Sequence, residues 1–120
     1  MFIYLILPVR NVEEKFSKAM DGYVGELESK GNVVHYPPRD TNQEDITGYN
    51  ICWDHFEAME SCDEVHVAWD GKSQGCLFDL GMAFALNKKV IVIEGYFPEA
   101  TEGKSYQSMV REWQRRYVSE

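Results

Sequence analysis

The stretch Glu64-Val65-His66-Val67-Ala68-Trp69-Asp70-Gly71-Lys72-Ser73-Gln74-Gly75-Cys76-Leu77-Phe78-Asp79-Leu80-Gly81 decides the fold. Its first six residues form a valine-rich run of strand length, Asp70-Gly71 is a turn signal, and a small-residue loop then feeds an apolar helix. A strand that passes through a tight turn into a helix is half of a βαβ unit. Parallel sheets built from such units keep their ligands at the carboxyl ends of the strands. Within the loop, Gly71 and Gly75 let backbone come close to a ligand, and Ser73 sets a hydroxyl beside the amides of a helix N-terminus. That is the outline of a small phosphate cradle. It is equally the outline of an ordinary N-cap at Ser73 followed by a turn glycine. Asp79 lies about one turn further in, among Leu77, Phe78, Leu80 and Met82. A carboxylate left unpaired there is costly. It either meets solvent or ligand at the mouth of a pocket, or makes a structural hydrogen bond or offsets the helix N-terminus.

Outward from this stretch, the strand alternates, with Val65, Val67 and Trp69 on one face and His66 and Ala68 on the other. Phe2 to Leu7 is a continuous apolar run, as expected of a strand covered on both faces, and Pro8 ends it. Val12, Phe16, Met20, Tyr23, Val24 and Leu27 recur at helical spacing, closed by Gly31 and Asn32. Val33 to Tyr36 reads as a second strand stopped by Pro37-Pro38, and Arg39 to Glu44 as a polar loop placed like a lid. Ile46, Tyr49, Trp53, Phe56 and Met59 mark a second helix. The third helix carries Leu77, Leu80, Ala83 and Phe84 towards Asn87-Lys88-Lys89, whose cations suit a helix C-terminus, and Val90 to Ile93 is a fourth strand. Glu94 to Lys104 is a loop. Ser105 then caps a last helix with Tyr106, Met109, Val110, Trp113 and Tyr117 on one face. This order predicts one α/β domain over residues 1–120, with right-handed crossovers and a mainly parallel sheet.

Charge narrows the partners. Twelve basic against 20 acidic residues give a net charge of −8, which repels a phosphate polymer, so nucleic acid is not an expected partner. A single nucleotide is still holdable by local backbone amides. Cys52, Cys62 and Cys76 lack CxxC spacing and fall inside periodic segments, the pattern of buried free thiols in a reducing compartment. Met1 to Val9 has no preceding basic region and is too short to span a bilayer, so the expected setting is cytoplasmic, with no membrane partner. His35, His55 and His66 have no ligand spacing, so they read as structural or surface residues and no metal is expected. Asp54 and His55 continue the charged face of Glu57 and Glu60, and of the two Asp54 is kept as a pocket candidate. Trp53 and Trp69 sit at core spacing. Trp69, beside the glycine turn, is the better candidate for stacking on a base.

The segment from Asp70 to Gly75 and through Phe78-Asp79-Leu80-Gly81-Met82-Ala83 resembles the nucleoside 2-deoxyribosyltransferase family and its relatives, the nucleoside 5′-monophosphate N-glycosidases. In that family a small residue, a glycine and a Glu-hydrophobic-Gly-x-Ala element open the third helix. Tyr4-Leu5, Arg10 and Asp63 also fall at family positions, and the resemblance extends to about Ile93. It implies a Rossmann/flavodoxin-like three-layer sandwich with a four- to five-stranded, mainly parallel sheet. It further implies Asp79 as the nucleophile, Ser73 as a 5′-phosphate contact, an amide from Gly75, Arg10 beside the phosphate, and Tyr4 or Asp54 near the sugar or base. Pro8, Gly71 and Trp69 complete the expected substrate contacts. Ser105 or Ser108 is expected from a neighbouring subunit, since the resembling enzymes complete each site across a dimer interface. The implied reaction is attack of the carboxylate on the anomeric carbon of a nucleoside or 5′-monophosphate, followed by transfer of the sugar to water or another base, without a cofactor. The expected partners are therefore that small molecule and further copies of the chain, as a homodimer or higher homo-oligomer. The resemblance departs at the nucleophile, where the family uses Glu and this chain has Asp79, shorter by one methylene or about 1.5 Å. That departure motivates the alternative of a non-catalytic nucleotide or ADP-ribose-type binding protein, a sensor or sequestering module.

Overall fold

The computed structural model describes residues 1–117. Along the chain run β1 (Phe2–Ile6), α1 (Glu14–Ser29), β2 (Val33–His35), α2 (Pro37–Asp40), α3 (Tyr49–Ser61), β3 (Glu64–Val67), α4 (Gln74–Ala85), β4 (Lys89–Val92) and α5 (Tyr106–Arg116). The strands form one four-stranded sheet in the order β2-β1-β3-β4, every pair parallel. The α/β three-layer architecture expected from the sequence is the one observed.

Strand alternation sorts the core into two layers. Ile3 and Leu5 of β1, Val34 of β2 and Ala68 face α1 through Met20 and Val24. Tyr4, Ile6, Val65, Val67, Val90 and Val92 face the opposite way, against Met59 of α3, Leu80 and Ala83 of α4 and Val110 of α5. Val65, Val67 and Val90 are fully removed from solvent, each burial contributing about 1.5–3 kcal/mol. His66, alternating onto the α1 face, is a structural residue. Its Nδ1 lies 2.6 Å from the Tyr23 hydroxyl and its Nε2 2.8 Å from Glu64. Cys62 and Cys76 are buried free thiols, and burial pushes them up to about 11 and about 12.

Three details differ from the sequence reading. The start of the Arg39–Glu44 loop is a helical turn, because prolines at its first positions hold a helical φ and lose no needed donor. Arg39 then ties this turn to α1, with a bidentate pair on Glu28 at 3.1 and 3.0 Å and a bond to the Val34 carbonyl at 3.0 Å. Only the chain beyond Thr41 is left to act as a lid. The helix expected from Ile46 begins at Tyr49, and Ile46 is fully exposed. Gly48 takes a left-handed φ of +83° there, and the Asp45 carboxylate accepts the Asn50 and Ile51 N–H groups at 2.7 and 3.2 Å. Among the described residues no helix is long and apolar enough to cross a membrane, and none form a His, Cys, Asp or Glu cluster able to hold a metal ion.

Candidate active site

β1 and β3 are neighbours, but the chain leaves β1 for β2 by way of α1 on one face and leaves β3 for β4 by way of α4 on the other. This is the switch point at which an open parallel sheet parts to admit a ligand. A cavity of about 1600 Å³ opens there. Pro8, Val9 and Arg10 line it after β1, and Asp70, Lys72, Ser73, Gln74 and Gly75 after β3. Cys52, Trp53, His55 and Phe56 of α3 and Phe78, Asp79 and Met82 of α4 complete the walls. Gln43 and residues 45–49 line it as well.

Asp79 is only 7 % exposed. Its Oδ2 accepts the Tyr4 hydroxyl at 3.0 Å, and the His55 Nδ1 lies 3.3 Å from Oδ1 and 3.2 Å from Oδ2. A carboxylate can only accept, so the His55 proton sits on Nδ1. The His55 Nε2 is buried and finds no partner among the described residues. Burial first, and the Asp79 charge second, hold the Tyr4 phenol far above its ordinary value. Tyr4 is therefore a permanent donor to the carboxylate. Tyr4 reaches Asp79 because alternation turns it onto the α4 face, and the register sets it opposite His35, whose ring stacks on it at 5.2 Å and 11°.

At the start of α4, Ser73 is the N-cap, its Oγ accepting the Cys76 N–H at 3.4 Å. Asp70 Oδ1 accepts the Lys72 and Ser73 N–H groups at 2.9 and 2.8 Å. The Gln74 and Gly75 N–H groups find no acceptor among the described residues. They belong to a helix N-terminus that lines the cavity, which Arg10 and Lys72 line as well. Capping thus explains Ser73 without excluding an anion beside it.

No family model matches the chain, and no curated protein sequence matches it. Among solved structures it is similar to the CMP N-glycosidase BcmB of Clostridium botulinum, at 21% identity and a TM-score of 0.58, over 96% of this chain and 81% of that one. The likeness is one of fold.

Of the residues singled out from the sequence, the fold brings Tyr4 and Asp79 together and places Pro8, Arg10, Ser73 and Gly75 around the same cavity. Four others lie elsewhere. Asp54 does not face the cavity, because its Oδ2 accepts the Thr41 hydroxyl at 2.5 Å and lies 3.8 Å from the His35 Nε2. Gly71 is a turn residue at φ +80°, where an added Cβ would meet Pro98 at 3.6 Å, and it does not line the cavity. Trp69 is a core residue, tilted on Phe97 at 6.0 Å with its indole N–H on the Ser73 carbonyl at 3.0 Å. It has no free face for a base. The Ser108 hydroxyl contacts Thr101 and lies outside its own chain's cavity. Trp69→Phe is accordingly expected to lower unfolding stability by about 0.5–1.5 kcal/mol through the lost bond. Ligand affinity should stay unchanged, as read by urea titration and by calorimetry on one preparation.

The residue that sequence reasoning missed is His55. Its signal was the stripe Cys52, His55, Phe56 and Met59, in which an apparently polar position occupies the buried side of the helix.

Proposed function

We propose that the chain cleaves the N-glycosidic bond of a nucleoside or nucleoside 5′-monophosphate, with Asp79 as nucleophile. The observation that carries this is a buried carboxylate, held by two side-chain donors, at a cavity whose rim offers unpaired helix amides. An Asp79 oxygen attacks the anomeric carbon, the C–N bond breaks with its electron pair going to the base, and a glycosyl ester forms. The base takes up a proton. Water then attacks the same carbon, loses its proton and frees Asp79; attack by a second base gives transfer instead. A 5′-phosphate fits against the Gln74 and Gly75 amides, with Arg10 and Lys72 offsetting its charge. The fold likeness to a CMP N-glycosidase supports the same chemistry. As a proposal the site also includes a second copy of the chain bringing Ser108 to the cavity, supported by the exposed apolar residues Phe78, Phe84 and Tyr106.

A second reading is favoured by one observation. Both Asp79 oxygens are already engaged, and the side chain is the shorter acid, as suits a protein that binds the nucleotide and leaves it intact.

The test is incubation with a panel of nucleosides and 5′-monophosphates, with free base read by chromatography, melting temperature read in parallel and mass read by light scattering. Cleavage predicts free base in stoichiometric excess over enzyme. Binding alone predicts stabilisation, about 2.7 kcal/mol at a hundredfold excess over Kd, with the ligand recovered intact. Neither response in any member of the panel removes both readings, and a monomeric mass removes the Ser108 contribution.

A further inference from the structure

We propose that His35, clamped by Thr41 and Asp54, is a positioning residue that fixes the Tyr4 phenol against the Asp79 carboxylate. The role rests on the cleavage proposed above and adds three residues that the reaction itself does not touch.

The arrangement follows from register. Tyr4 and His35 are Cα partners in the β1–β2 ladder, so both rings leave the sheet on the same side and meet face to face. The Thr41 hydroxyl proton is committed to Asp54 Oδ2 at 2.5 Å, which leaves its oxygen to accept from His35 Nε2 at 3.0 Å. That bond fixes which His35 nitrogen carries the proton, and it stops the ring from turning. His55 closes the third side, edge-on to Tyr4 at 5.8 Å and to His35 at 6.5 Å. A phenol at the end of a rotatable side chain is thereby held between one stacked and one perpendicular ring. Displacements of about 1 Å at a reacting group cost on the order of 10²-fold in rate, so the packing behind Tyr4 matters to the nucleophile in front of it.

The clamp is also open to charge. Tyr4 of β1 and His55 of α3 pack on His35, Asp54 of α3 lies 3.8 Å from its Nε2, and the charges of Asp40 and Arg39 of α2 also act on it. Burial above all pushes His35 below its ordinary value, with Asp54 and Asp40 pulling the other way. Near neutral pH the ring is uncharged. Protonation in acid sets a cation behind Tyr4, which stabilises the Asp79 anion and makes it a weaker nucleophile. Removing the Asp54 charge makes that protonation harder, so the acid limb moves to lower pH.

Two variants test this, Asp54→Asn and His35→Phe, the second keeping a flat ring while losing the Thr41 bond. Two readouts are used, kcat and KM for a 5′-monophosphate from about pH 5 to 8 and the proton resonance of the buried Tyr4 hydroxyl, assigned by its loss in Tyr4→Phe. His35→Phe is expected to lower kcat about tenfold with KM within about twofold. Asp54→Asn is expected to move the acid limb down by roughly half a pH unit, a modest shift because Asp54 is half exposed. Both should displace the hydroxyl resonance. A fall in melting temperature with kcat, acid limb and resonance all at wild-type values means the clamp is only structural, and the proposal is wrong. If the wild type releases no base, the cleavage reading fails by itself. The resonance then decides this inference alone, and its constancy in both variants overturns it.

Discussion

Asp79→Asn is expected to release base at least about 10³-fold more slowly than the wild type, the scale of loss when a covalent nucleophile is removed. The substitution is nearly isosteric, so the walls of the cavity stay in place. What disappears is the anion proposed to form the bond to the anomeric carbon. Stability should hold or rise, because a buried charge is expensive to keep and an amide still offers an oxygen to Tyr4 and His55. Steady-state base release, beside a thermal melt of the same sample, separates the two effects. A rate within tenfold of wild type would show that Asp79 is not the nucleophile. A lost rate with retained nucleotide affinity would leave the pocket intact and the chemistry assigned.

Tyr4→Phe should cost about 10²-fold in kcat, the scale of loss when a reacting group is displaced by about 1 Å, because the phenol holds the Asp79 carboxylate in place. Tyr4 is fully buried, and its hydroxyl donates to Asp79 Oδ2 at 3.0 Å. Phenylalanine keeps the ring between His35 and His55 and removes only that donor. The loss of one of the two donors to this buried carboxylate should also lower stability by about 1–3 kcal/mol. Alkali distinguishes the two proteins further. The folded-state value of the Tyr4 phenol is raised far above its ordinary 10.0, so its contribution to stability is complete below pH 10. It is lost as pH climbs beyond that point, where the unfolded chain ionises first. Tyr4→Phe should therefore denature less steeply in alkali, although Tyr23 and Tyr36, also raised by burial, keep part of the slope. An unchanged rate in Tyr4→Phe would mean that the phenol holds the fold and not the reaction.

Much of this architecture was legible in the residues. The apolar run of β1, the alternation of β3, the helical spacing of α1 and α5 and the caps at Ser73 and Ser105 are local signals, and each element formed where its signal lay. Asp79 stood out because a helix that starts just after a strand is a ligand-prone place before any contact is known, whereas Tyr4 was reached only through the family resemblance. What could not be read depended on neighbours distant in sequence. Trp69 lost its free face to Phe97, a residue of a loop 28 positions on. Asp54 was drawn away from the cavity by Thr41, which the turn at Pro37-Pro38 delivers to it. His55 was counted as polar, and only the buried Asp79 on the adjoining helix gives its ring a reason to face inward.

The two helices that end at the cavity differ in one respect that reaches beyond the reaction. The Asn50 and Ile51 amides in the first turn of α3 are already taken by the Asp45 carboxylate, whereas the Gln74 and Gly75 amides of α4 find no acceptor among the described residues. An anionic group therefore gains energy at one helix end and is repelled at the other. Under the proposed function, a nucleoside 5′-monophosphate would therefore enter with its charged end on α4 and its neutral end towards the Trp53 and Phe56 that also line the cavity. On that reading the direction of entry is set by a pre-filled cap, before any specific contact with the neutral end is made.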